Sequence, residues 1–209
     1  MTLTAAGFLF DLDGTLLDSI AVVDRAWSAW AELRGFDPAE VLTKIHGRRS
    51  IDSLRLMFPQ FDPEEEDLVI RRIECEMSEG VAPIPGAMEF LAQVPLDRWA
   101  LVTSGTSDVA LSRVVASGMA VPPKAVFGED VRNGKPAPDP YLRGAELLGL
   151  APQDCIVFED TVAGVRSGKA AGMRVVGVGE LDEAGVWVRD YYQLNLQVTE
   201  DGLHLLVQH

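Results

Sequence analysis

Short, almost uninterrupted apolar runs are the feature that most restricts the fold. Gly7-Phe8-Leu9-Phe10, Trp99-Ala100-Leu101-Val102, Ala125-Val126-Phe127, Ile156-Val157-Phe158 and Val175-Val176-Gly177-Val178 are each only a few residues long. Continuous apolar character suits strands buried on both faces, as parallel sheets require. Segments of helical character separate the later runs, near 106–117, 139–148 and 162–171. Strand alternating with helix predicts an α/β fold, a Rossmann-like parallel sheet with right-handed crossovers.

Residues 18–82 break this rhythm. Ile20, Val23, Trp27, Trp30 and Leu33 fall at helical spacing, with Ser19 as N-cap and Gly35 as stop. Asp62-Pro63-Glu64-Glu65-Glu66 reads as a second helix start: a cap, proline in the first turn, and acids at the positive dipole end. No strand is expected in this stretch. The division is therefore an α/β core of residues 1–16 and 85–209 and an all-helical insertion of 17–84, packed by Trp27 and Trp30. Val81-Ala82-Pro83-Ile84-Pro85-Gly86 is the return linker. Leu194–Val198 and Leu203–Val207, joined across Asp201-Gly202, predict a terminal β-hairpin.

Charge narrows the partners. Lys and Arg number 18 against 32 Asp and Glu, a net −14 that repels nucleic-acid phosphate and anionic lipid. No signal peptide is evident, and no apolar run approaches the roughly 18 residues that span a bilayer. Cys75 and Cys155 are too few for a disulfide scaffold or a metal cluster, and Cys155 is read as a small buried hydrophobe. The expectation is a cytoplasmic chain, monomeric by default.

Four segments carry chemistry. Asp11-Leu12-Asp13-Gly14-Thr15-Leu16 follows the first apolar run, at the strand end where open α/β sheets place ligands. Alternation points Asp11 and Asp13 the same way, although the same residues also make an ordinary acidic turn. Val157-Phe158-Glu159-Asp160-Thr161 ends a second apolar run in carboxylates, where Asp160 could equally be a helix N-cap. Acids delivered from two strands to one edge need a cation, and oxygen ligands alone favour Mg2+. Lys135 sits in a proline-stiffened loop, Lys135-Pro136-Ala137-Pro138-Asp139-Pro140. Thr103-Ser104-Gly105-Thr106 offers hydroxyls and N–H groups where a strand feeds a helix, an anion-binding junction or a capped turn.

Together and in this order the segments resemble the haloacid dehalogenase superfamily, in its phosphatase and phosphomutase branch. Within that branch the chain is similar to sugar phosphatases of the 2-deoxyglucose-6-phosphatase and glycerol-phosphatase type. The resemblance covers nearly the whole chain apart from the terminal hairpin. It implies Asp11 as nucleophile forming an aspartyl-phosphate, and Asp13 as general acid and base. It implies Mg2+ held by Asp11, the Asp13 backbone carbonyl and Asp160, with Lys135 as a second cation and Thr103, Ser104 and Leu12 at the phosphate. Glu159 either touches the metal through water or holds Lys135. The insertion becomes a cap whose loop, with His46, Gly47, Arg48 and Arg49, could meet a small phosphorylated sugar or polyol, or could be a helix end with His46 at the negative dipole end and the arginines in solvent. A β-phosphoglucomutase is the rival, but its usual His and Lys fall at Val23 and Thr106. A catalytically silent binding protein on the same fold would lack a charged motif residue, and all of them are present.

Overall fold

The computed structural model describes residues 1–208. In chain order the elements are β1 Thr2–Ala5, β2 Gly7–Phe10, β3 Leu17–Asp18, α1 Ile20–Arg34, α2 Pro38–Leu42, α3 Ser50–Met57, α4 Pro63–Glu76, β4 Ala82–Pro83, α5 Ala87–Leu91, β5 Trp99–Val102, α6 Ser107–Ala116, β6 Ala125–Val126, α7 Asp139–Leu148, β7 Cys155–Glu159, α8 Val162–Ala170, β8 Arg174–Val178, β9 Trp187–Val188, β10 Leu194–Thr199 and β11 Gly202–Val207.

The central sheet runs β6-β5-β2-β7-β8-β9 and every pairing in it is parallel. Both faces of β2 are buried, which is why its sequence is apolar without alternation. Phe8 and Phe10 pack with Phe90, Phe158 and Tyr191 on one side, while Leu9 joins Val102, Tyr141 and Val157 on the other. The terminal hairpin β10–β11 forms as expected, and β1 pairs with β11 as a third strand. Leu3, Leu203, Leu205 and Val207 fold this small sheet onto the Phe8–Phe10 side of the core.

Several expectations need correction. β9 extends the sheet by two residues that carry no strand signal of their own, and Phe127 lies outside β6. The ends of the insertion are not wholly helical, since β3 and β4 pair antiparallel, Leu17 with Pro83 and Asp18 with Ala82. Gly35 closes α1 in the left-handed conformation, but Leu33, at helical spacing, faces solvent. Ser19 precedes α1 without capping it. Its hydroxyl instead donates to Asp13 Oδ1 at 2.5 Å.

Between β3 and β4, α1 to α4 enclose a separate cluster of Trp27, Trp30, Val41, Ile45, Leu54 and Ile70. Asp62 caps α4 by accepting from the Glu64 and Glu65 N–H groups. Trp30 Nε1 donates to buried Glu66 Oε2 at 2.8 Å, and Arg34 Nε donates to the same oxygen at 2.9 Å. Trp30→Phe keeps the ring but removes one donor from a buried carboxylate. It is expected to cost about 1–2 kcal/mol in urea unfolding.

Candidate active site

Strand register brings the chemistry to one sheet edge. Phe10 lies level with Leu101 of β5 and Phe158 of β7, so Asp11, Val102 and Glu159 follow side by side at the carboxyl ends. The sheet grows from β2 toward β5 on one side and β7 on the other, and ligands bind at such a reversal.

Lys135 anchors the edge. Its side chain is 1% exposed. The Nζ donates to Asp11 Oδ1 at 2.5 Å, Glu159 Oε1 at 2.6 Å and the Val102 carbonyl at 3.1 Å. That occupies all three ammonium hydrogens, the condition under which a buried charge is tolerated. Burial alone would lower its pKa, yet Asp11 and Glu159 hold it above the ordinary lysine value. The bond from Lys135 to Glu159 settles the geometry of that carboxylate. Glu159 Oε1 also accepts from Tyr141 Oη, and Oε2 accepts from the N–H groups of Asp160 and Thr161 and from Thr161 Oγ1. A Cβ at Gly164 would stand 1.7 Å from Glu159 Oε1, so only glycine fits beneath this carboxylate.

Asp11, Glu159 and Asp160 each offer an oxygen, all within 4.8 Å of one another. Burial pushes the Asp11 carboxyl up to about 7 against the opposing pull of Lys135, with Glu159 adding to the rise. Asp160 is held well above the usual carboxylate range, first by burial and then by Glu159 and Asp11. Its Oδ1 accepts from Thr15 Oγ1 at 3.1 Å. Together Asp11, Glu159 and Asp160 form an acidic group that could hold a metal ion, with Glu159 also bonded to Lys135, Tyr141 and Thr161. Concentrated, desolvated oxygen donors fit a hard divalent ion.

A cavity of about 70 Å3 opens over Asp11 and Asp13, with Thr103, Ser104, His46, Gly47 and Arg48 in its wall. Thr103 Oγ1 accepts the Gly105 N–H at 3.0 Å, which fixes the turn leaving β5. Asp13 turns away from Lys135: its carboxylate takes the Ser19 hydroxyl and Arg113 Nη1, the latter at 2.7 Å. Its side chain is not in the group formed by Asp11, Glu159 and Asp160. His46 Nε2 stands 3.2 Å from Asp24 Oδ1. Gly47 has φ +75°, and a Cβ there would meet Thr161 Oγ1 at 2.5 Å, so its close approach is to the core.

Two expected substrate residues are placed otherwise. The Leu12 side chain is fully buried in the Phe8–Phe10 cluster, because a leucine between strand-end acids takes the core-facing position. Arg49 lies outside the wall of this cavity. Its guanidinium grips Asp52 and donates to the carbonyls of Gly128, Val131 and Arg132, bracing the insertion against the core. Trp27 both packs among the helices and touches the cavity.

The sequence reading missed Arg113, Glu74 and Tyr141. Arg113 Nη2 donates to Glu74 Oε1 at 2.9 Å, so one guanidinium joins α4 to Asp13. Burial raises the Glu74 carboxyl pKa and Arg113 opposes the rise. A signal for Arg113 existed: it shares the buried face of α6 with Val109, Ala110 and Val114 at helical spacing.

Known proteins supply an independent comparison. A family described as haloacid dehalogenase-like hydrolase matches residues 5–172. Hexitol phosphatase A of Escherichia coli is 48% identical over 180 residues, 82% of this chain and 82% of that protein. The 2-deoxyglucose-6-phosphate phosphatase 2 of Saccharomyces cerevisiae is 33% identical over 193 residues, covering 81% of this chain and 78% of its own. A crystal structure of β-phosphoglucomutase from Clostridium difficile superposes with a TM-score of 0.74 at 24% identity, over 91% of this chain and 93% of that one.

Proposed function

Since the chain belongs to the haloacid dehalogenase-like hydrolase family and is a phosphatase, we propose that it hydrolyses small sugar or polyol phosphate monoesters, with Mg2+, through an aspartyl-phosphate on Asp11. The observation that carries this reading is the strand-end Asp11 held by Lys135 beside Asp160, under a cavity walled by Thr103 and Ser104.

Asp11 attacks phosphorus, and the bond from phosphorus to the sugar oxygen breaks. Asp13 gives that oxygen a proton, then takes one from the water that cleaves the aspartyl-phosphate and restores Asp11. A carboxylate approaching a phosphate is repelled by about 4 kcal/mol per unit-charge pair at 4 Å and an effective dielectric constant of 20. Lys135 offsets part of this. Asp11, Asp160 and the Asp13 backbone carbonyl would hold Mg2+, whose charge offsets the rest. Thr103 and the Ser104 N–H orient the phosphoryl oxygens, and Arg113 and Ser19 fix the direction of Asp13. The two unpaired cysteines fit a reducing, cytoplasmic setting. Among the described residues no helix is long and apolar enough to cross a membrane.

Phosphate release from hexitol, hexose, pentose and glycerol phosphates, with Mg2+ and with EDTA, tests the reading. Release that EDTA abolishes is the expected result. Conversion of glucose 1-phosphate to glucose 6-phosphate with little free phosphate would make the chain a mutase, despite Val23 and Thr106 in the cavity wall. Failure to release phosphate from any of them would leave an untested substrate or a silent binder on this fold, and Mg2+ titration would then separate the two.

A further inference from the structure

Glu74 lies four residues after Ile70 on α4, which turns it toward the body of the protein. Its side chain is 9% exposed. A carboxylate this withdrawn from water needs each oxygen either engaged by a donor or open to the cavity. Arg113 engages Oε1, at 2.9 Å. Among the described residues no donor reaches Oε2, although Glu74 lines the same cavity as Asp11 and Asp13. An ionised carboxylate oxygen only accepts, so the group that Oε2 can take up from this cavity is a donor. The remaining wall on the insertion side is apolar (Ile20, Val23, Trp27 and Ile45), a surface suited to the C–H faces of a carbon chain. Arg113 ties Glu74 to Asp13, which fixes the acceptor relative to the group that protonates the leaving oxygen.

We propose that Glu74 determines specificity by accepting a hydroxyl of the substrate's leaving group through Oε2, so that the enzyme selects phosphate monoesters of uncharged polyhydroxylated alcohols and rejects those carrying a second anionic group. This rests on the hydrolytic reading above. Once substrate fills the cavity and displaces water from Oε2, one lacking the hydroxyl leaves that oxygen without a donor, and one with a carboxylate there meets a like charge. Sites built around such a hydrogen bond discriminate far better than apolar pockets do.

The test compares kcat/KM for a hexitol phosphate and for phosphoglycolate in the parent enzyme, Glu74→Gln and Glu74→Asp. Glu74→Gln keeps the shape and an acceptor for Arg113 but loses the charge. The ratio favouring the hexitol phosphate is expected to fall by about a hundredfold, with phosphoglycolate turned over better than by the parent. Glu74→Asp keeps the charge but shortens the reach. It is expected to lose about tenfold on the hexitol phosphate while still excluding phosphoglycolate, and it serves if the amide variant does not fold. Parallel loss of kcat on both substrates at a constant ratio would overturn the proposal and leave Glu74 as a positioning residue acting through Arg113 on Asp13. A parent enzyme that releases phosphate from neither substrate, nor from any other monoester, would overturn the hydrolytic reading and this proposal with it.

Discussion

Asp11→Asn is expected to lower turnover by about a thousandfold or more while leaving a folded protein. Asparagine matches aspartate in shape but cannot displace an alkoxide from phosphorus. Lys135 loses one partner and keeps Glu159 at 2.6 Å. The substitution also removes a charge that burial already pushes toward neutrality, with a pKa of about 7. These effects oppose one another, so the urea midpoint is expected to shift by no more than about 1 kcal/mol. Single-turnover phosphate release beside an unfolding curve separates the two readouts. Near-normal turnover would remove Asp11 from the nucleophile's role.

Lys135→Met should act on both readouts. Methionine fills the buried channel but leaves Asp11 and Glu159 facing each other without their shared cation. Breaking a buried pair from one side costs roughly 3–5 kcal/mol, a large part of the 5–15 kcal/mol that holds a typical domain. Turnover is expected to fall by at least about a hundredfold through loss of the cation bonded to the attacking carboxylate, which offsets its repulsion by the phosphate. The stability loss carries a pH signature. Lys135 lowers the Asp11 pKa, so without it that pKa climbs above about 7. An acid whose folded pKa exceeds its unfolded value takes up a proton on folding. The variant is therefore weakest at alkaline pH and recovers as pH falls through the raised pKa toward the ordinary carboxylate range. Urea curves in EDTA at pH 8 and pH 5 should show the gap to the parent narrowing at the lower pH. An equal gap at both would mean that lost packing, not unbalanced charge, sets the cost.

The parts of this fold legible in the sequence are those whose neighbours in sequence share their environment. The apolar run Gly7–Phe10 announces a strand buried on both sides because every residue in it meets the core. Asp62 announces a cap because the N–H groups it accepts are two and three residues away. Trp187 and Val188 announce nothing, since a two-residue strand is set by β8 beside it. Thr2–Ala5 is a strand only through β11, at the far end of the chain. The site divides in the same way. Asp11, Asp160 and Lys135 are legible as motifs, whereas the bond between Glu159 and Lys135 forms only when Lys135 arrives from another loop. Arg49 resembles a substrate arginine in sequence, but its partners lie in residues 128–132, a loop that only folding brings near.

The two-residue ladder of β3 and β4 has a consequence for how such an enzyme can diversify. Asp18 lies opposite Ala82, and Cα atoms paired across an antiparallel ladder stand about 5 Å apart. Everything between them is an excursion whose ends are already closed. Each doubling in the length of such a loop adds only about 0.6 kcal/mol of closure entropy, so the excursion can grow, shrink or be exchanged while the ends of β2, β5 and β7 stay where they are. On the proposed reading, in which the excursion carries substrate preference, new substrates can be tried with the strand ends kept, provided that the Glu74–Arg113–Asp13 link is kept as well.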